Sequence, residues 1–177
     1  MAAPRQMTAN TLNALKGWPQ MNAVDYHSAL DASVTGTVNA GTVVSLNSSG
    51  KFVLGVGTTV AMPMFLFSNS DDPDVANDGG DASTDAGVFV PISPTGQAMA
   101  LVAVGAYELV STAYKTSGSY APNTALFSDD SGADEGLLKN GGTLYTDTCV
   151  GFVSRGVVDN GYGKNAVAFW PFPVFPS

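Results

Sequence analysis

The chain has 177 residues and a formal net charge of −8, from 7 Lys plus Arg against 15 Asp plus Glu, with one His and one Cys. Charged residues make up only 12%, against ~25% in ordinary soluble domains. The acidic balance argues against a nucleic-acid binder, which needs Lys and Arg for phosphate, and a single cysteine excludes an intrachain disulfide and a cysteine-built metal site. The length fits one domain with arms, large enough to bury a core without covalent staples.

Residues 1–30 form a distinct N-terminal segment. Leu12, Leu15 and Trp18 are spaced like one helical face, but Gly17 and Pro19 stop any helix early. The segment is too poor in apolar residues for a core of its own. It reads either as a frayed terminus or as an extended arm that orders against a neighbouring subunit. It lacks the apolar run of a secretory signal.

Residues 31–177 read as a single β domain. Val34–Val38 and Thr42–Leu46 are β-branched runs, and Asn47-Ser48-Ser49-Gly50 is a turn cluster leading into Phe52–Val56. A hairpin closed by a short Gly-ended loop follows from that order. Val60–Phe67 is apolar on both faces, as in a buried strand, and Pro63 within it predicts an edge or a bulge. Residues 68–87 are a long polar loop holding six of the acids, Asp71, Asp72, Asp74, Asp78, Asp81 and Asp85. Strands resume at Val88–Val90, Met99–Val104, Tyr107–Tyr114, Leu144–Ser154 and Asn165–Trp170. Short strands, frequent turns and almost no helical period predict an all-β fold, a small β-barrel or β-sandwich. The tail 171–177 alternates Pro with Phe172, Val174 and Phe175, which fixes it as extended chain. Its aromatics, with Trp170, either cover an open end of the core or dock on a partner.

Two long uncharged stretches, Phe52–Ser70 and Ala86–Tyr107, reach the length of a membrane span. Gly55, Gly57, Pro63, Pro91, Pro94 and Gly96 break them into strands and turns, so the expectation is a soluble protein made in the cytoplasm, with no membrane partner.

Catalytic patterns fail one by one. His27 is the only histidine and lies in the N-terminal segment. Gly151-Phe-Val-Ser154-Arg-Gly156 is similar to a nucleophile elbow but carries one residue too many before the serine. Gly55-Val56-Gly57 lacks the third glycine of a dinucleotide site. Cys149 lies in an apolar run with no basic neighbour and reads as a buried thiol. In the acidic loop Ala76 occupies a ligand position of the calcium-loop pattern and no glutamate closes it, so the reading is a solvated loop with no metal, and weak Ca²⁺ binding by its carboxylates is the alternative. The expectation is a non-enzyme without cofactors, a structural or binding protein.

From Glu108-Leu109-Val110-Ser111-Thr112-Ala113-Tyr114 onward the order of residues resembles a known family. It continues through Tyr120-Ala-Pro122-Asn123, Gly136-Leu-Leu138, Val150-Gly151-Phe-Val153-Ser154-Arg-Gly156, Asn160-Gly161-Tyr-Gly163 and Ala168-Phe169-Trp170-Pro171. This resembles the small capsid decoration, or cement, proteins of tailed bacteriophages, over roughly residues 100–171 with a looser fit at about 36–70. The resemblance implies a β-rich structural virion protein on the outer surface of an icosahedral capsid. It implies the major capsid protein as partner, self-association as a trimer first and a dimer next, and stabilised contacts between capsid subunits. The arm and the tail are then the contact segments, with Leu12, Leu15, Trp18, Trp170, Phe172 and Phe175 as interface residues, aromatics being frequent hot spots. The alternative from another class is a β-sandwich binding module for carbohydrate or a host receptor, part of a phage tail or similar particle.

Overall fold

The computed structural model describes residues 12–16, 23–34, 38–39, 41–56, 61–69, 88–89, 97–105, 108–160 and 164–177. The β-branched and aromatic runs form strands because their side chains pack on a pleated surface. In chain order these are β1 (Leu12–Lys16), β2 (Ala23–Ala29), β3 (Val38–Asn39), β4 (Val43–Leu46), β5 (Phe52–Leu54), β6 (Met64–Asn69), β7 (Val88–Phe89), β8 (Gln97–Ala103), β9 (Glu108–Ser111), β10 (Ala125–Ser128), β11 (Leu138–Lys139), β12 (Cys149–Asp159) and β13 (Asn165–Trp170). A single 3-10 turn, Gly132–Asp134, is the helical element among the described residues. No helix there is long and apolar enough to cross a membrane.

Two antiparallel sheets carry the fold. One has six strands in the order β1-β9-β13-β12-β10-β11 and the other five in the order β2-β8-β6-β4-β5; β3 and β7 pair separately. They share one apolar cluster. Val43 and Phe65 from the five-stranded sheet meet Leu109, Leu126, Leu138, Val150, Val153, Val167 and Phe169 from the six-stranded sheet. The Phe65 and Phe169 rings touch across it at a centroid distance of 5.4 Å. The five-stranded sheet is apolar on its other face too, where Val44, Phe52, Met64, Leu66 and Ala100 pack with Leu30 and Val38. That double burial is why β6 shows no alternation in sequence.

Hydrogen bonds from backbone and serine hydroxyls also tie the segments around the two sheets together. The Val43 N–H donates to Gly136 O at 2.8 Å, and the Val56 N–H to Ser128 Oγ at 3.0 Å. Ser111 Oγ donates to Gly41 O at 3.1 Å.

The hairpin β4–β5 pairs Val44 with Leu54, Ser45 with Val53 and Leu46 with Phe52, and Gly50 takes a φ of 72° in its turn. Several expectations need correction. Pro63 precedes β6 and lies outside the ladder, so it tolerates a strand in mid-sheet. Residues 144–148 are loop, and the strand expected from Leu144 begins at Cys149 and runs on to Asp159. Most of all, the Leu12–Leu15 spacing is not a helical face. Five residues before Gly17 are too few to nucleate a helix, and they pair instead with β9, Leu12 opposite Ser111 and Ala14 opposite Leu109. Residues 23–29 likewise pair with β8. Both stretches of the N-terminal segment are therefore strands of the two sheets. Ser68 and Asn69, expected to open the acidic loop 68–87, instead end β6; Trp18 and residues 70–87 lie outside the described residues.

Candidate functional site: an aromatic ridge on the C-terminal tail

Strand alternation sets the site. Phe169 points into the core and is fully buried, so the next residue, Trp170, faces outward and is 38% exposed. Trp170 stands opposite Phe152 of β12, which is half-buried on the same outer face. Pro171 then locks the backbone and is itself buried, and Phe172 emerges 40% exposed. Its N–H bonds back to Trp170 O at 3.0 Å, a tight three-residue turn.

The tail is tied to the domain at three points. The Gly105 N–H donates to Pro171 O at 3.2 Å, Val174 and Cys149 exchange both backbone bonds at 2.9 and 3.0 Å, and the Ser177 N–H donates to Tyr145 O at 3.1 Å. Phe175 is half-buried between the last two ties. The tail thus crosses one end of the domain and neither fills the core nor hangs free.

Its far anchor adds two residues that the sequence reading missed. Leu144 and Tyr145 are exposed, Tyr145 by 64% and with a φ of 68°. A left-handed conformation is uncommon for a bulky residue and costs about 1–2 kcal/mol. The loop holds it there: the Thr143 N–H donates to Asp147 Oδ2 at 2.8 Å and the Asp147 N–H to Thr143 O at 2.9 Å. The Thr143–Asp147 spacing was the available signal, since a short polar side chain four residues on closes such a turn. A strand assigned from Leu144 hid it.

Of the interface residues expected from sequence, Trp170 and Phe172 are exposed two residues apart on this ridge, and Phe175 lies half-buried farther along the tail. Leu12 and Leu15 lie on β1, separated from β13 by β9 alone, so the two strands are about 10 Å apart. Lys16 at the end of β1 is opposite Glu108. Trp170 ends β13 one position past Phe169, whose partner is Leu109, so both ends lie on the same side of the sheet.

Beside the ridge a buried carboxylate is clamped. β12 carries two extra residues, Ser154 and Arg155, between the pairs Val153–Phe169 and Gly156–Ala168. This bulge turns both side chains onto Glu108, which is only 3% exposed. Arg155 Nε and Nη2 donate to its two oxygens at 2.8 Å each, and Ser154 Oγ donates to Oε1 at 2.5 Å. Glu108 in turn holds the Arg155 guanidinium above its ordinary range. A carboxylate committed to a guanidinium is a poor base, and Ser154 is its donor, so the arrangement is a structural clamp rather than an activated nucleophile.

Two other chemistry-bearing groups among the described residues are likewise packed away. Burial pushes the Cys149 thiol up and away from the reactive thiolate. Asp129 accepts from Lys115 at 2.6 Å and lies 3.5 Å from Lys139. Among the described residues no three His, Cys, Asp or Glu side chains are grouped to hold a metal ion. His27 falls on β2 as an edge-strand residue. The sequence matches no protein-family model and no curated protein.

Proposed function

We propose that the chain is a structural virion protein that binds the outside of an icosahedral phage capsid and stabilises contacts between major capsid subunits, without enzymatic activity. The observation that carries this reading is the ridge. Trp170 and Phe172 are large aromatics held toward solvent on a backbone fixed by proline and tied down by hydrogen bonds. Aromatic anchors on a preorganised backbone lose little freedom on docking, which is what an additive to an already formed shell needs. The resemblance described above supplies the identity of the shell. Many copies, each adding a standard interface of about 1,200–2,000 Å², reinforce seams that single contacts leave weak.

The test is co-sedimentation with purified shells, together with electrophoresis of virus particles and mass-spectrometric identification of the band. A copy number comparable with the main shell protein is expected, with binding lost in the Trp170→Ser/Phe172→Ser double variant. Absence from particles overturns the proposal. A second reading rests on Phe152 and Trp170 facing each other across one outer sheet face, an arrangement also suited to stacking on sugar rings. A glycan array separates the two, since the capsid reading expects no signal.

A further inference from the structure

Asn140 follows β11 and precedes Gly141-Gly142, at the root of the loop that carries Tyr145. Its Nδ2 donates to Ser119 O at 2.6 Å, an exposed tie between the end of β11 and the turn after Lys115. The next nitrogen along the backbone is open. Gly141 is exposed, and among the described residues nothing accepts its N–H. A Cβ placed on Gly141 would meet nothing within 4 Å, so no distant part of the chain crowds that nitrogen. Glycine also leaves the backbone free to turn its nitrogen toward the preceding side chain.

Other asparagines are closed to the same approach. Asn160 also precedes a glycine, but it is buried. Its Oδ1 accepts from the Lys164 N–H at 3.2 Å, and its own N–H donates to Lys164 O at 2.9 Å. Asn123 precedes Thr124, whose nitrogen is committed to Ala121 O at 3.1 Å. Asn47 is held at both ends of its amide, donating to Asp31 Oδ2 at 2.8 Å and accepting from the Ser49 and Lys51 N–H groups at 2.9 and 3.0 Å.

We propose that Asn140 is a self-modification site, where the folded chain deamidates. The Gly141 nitrogen attacks Asn140 Cγ and the new C–N bond closes a five-membered succinimide. The proton of that nitrogen passes to the departing amide, which leaves as ammonia. Water then opens the ring at either carbonyl, leaving aspartate or its β-linked isomer at position 140. Water is the only co-reactant, and the attack is intramolecular, which is what makes it feasible without an enzyme. The bond to Ser119 O lowers the attack-ready population only severalfold, because an exposed hydrogen bond is exchanged for one to water. The product carboxylate has no hydrogen to give Ser119 O, so that tie is lost. The β-linked form also adds one atom to the backbone between β11 and the loop whose Tyr145 O holds the Ser177 N–H. The site therefore ages the anchor of the tail. The reaction itself does not depend on capsid binding, so either proposal can fail alone.

The experiment is ageing of the full native chain in mildly alkaline buffer, followed by peptide mass mapping in acid. A gain of one dalton should appear first in the peptide that contains Asn140, at least about tenfold faster than in the one that contains Asn160, whose exposure needs local opening. An isoaspartyl methyltransferase should label the same peptide, and isoelectric focusing should show one added negative charge. Unfolding in urea should bring Asn160 up to the rate of Asn140, while Asn140 itself changes only severalfold. Gly141→Ala has room for its methyl group and should slow the reaction at least about tenfold in a normally folded chain. A stable mass at Asn140 overturns the proposal. So do equal native rates at Asn140 and Asn160, a large acceleration of Asn140 on unfolding, or a Gly141→Ala chain that deamidates as fast as the native one.

Discussion

Arg155 reaches Glu108 with two donors at 2.8 Å, although their strands, β12 and β9, are separated by β13. The bulge at Ser154 and Arg155 makes the span possible, and the pair ties three strands together on the outer face. Removing the guanidinium strands a carboxylate that is almost out of water. Arg155→Met should therefore cost about 2–3 kcal/mol, below the ~3–5 of a wholly buried pair because the guanidinium is half solvated. Arg155→Met combined with Glu108→Gln should cost less than the sum of the two single changes, since no charge is then left behind. Urea melts of the four proteins give the coupling, and strict additivity would show that the clamp carries no pairwise energy.

Phe169 and Trp170 are neighbours in sequence and opposites in burial. Phe169→Ala opens a cavity between the sheets and should cost about 3–5 kcal/mol. Trp170→Ala removes a ring already wet on one side and should cost no more than about 2 kcal/mol. Shell binding should rank them the other way, with Trp170→Ala failing to co-sediment at temperatures where it is still folded. Equal melting losses would place the indole in the core and take away the ridge's principal anchor.

Strand existence was legible because the β-branched run at 42–46 and the short apolar runs at 52–54 and 165–170, each bounded by turn residues, leave little other choice, and the Asn47–Gly50 turn fixed one hairpin outright. What escaped was set by partners distant in sequence. The pairing of β1 with β9 joins residues nearly a hundred positions apart, such as Leu12 and Ser111, so nothing local distinguishes Leu12–Lys16 from a frayed helix. The two-residue bulge in β12 exists to bring Ser154 and Arg155 to Glu108, and no periodicity announces it. For the site, the tail aromatics were visible as a Pro-spaced series, whereas Tyr145 depended on a left-handed backbone that only the Ser177 and Asp147 contacts explain.

Gly136 and Gly50 separate two effects of a positive φ. Both are left-handed, at 83° and 72°. A Cβ at Gly50 would meet nothing within 4 Å, whereas one at Gly136 would sit 2.5 Å from Thr42 Cγ2 and 2.9 Å from Val43 O. Gly50→Ala should cost only the backbone term, about 1–2 kcal/mol. Gly136→Ala should add about 1–3 kcal/mol for pushing the sheets apart where Val43 donates to Gly136 O. Thermal melts of both variants test the difference, and equal losses would mean that the junction yields without cost.

Tyr120 couples stability to alkaline pH. Its hydroxyl donates to Lys115 O at 2.7 Å, with Leu138 O at 3.1 Å. Burial first, and then the nearby Tyr114, push its pKa up to about 12 from 10.0. The folded value lies above the unfolded one, so the contribution is fully present below pH 10 and is lost as pH rises toward 12. A rise of that size corresponds to about 3 kcal/mol at full development. Lys115, raised chiefly by its hydrogen bond to Asp129, acts in the same direction above its ordinary 10.5. Asp129 is lowered chiefly by Lys115, so its contribution is lost instead as pH falls below 3.8. Melting temperature should thus drop between pH 10 and 12 in the native chain. Tyr120→Phe should start lower, by about 1–2 kcal/mol for the lost hydrogen bond, and then decline less steeply. Parallel curves for the two proteins would assign the alkaline loss to other groups.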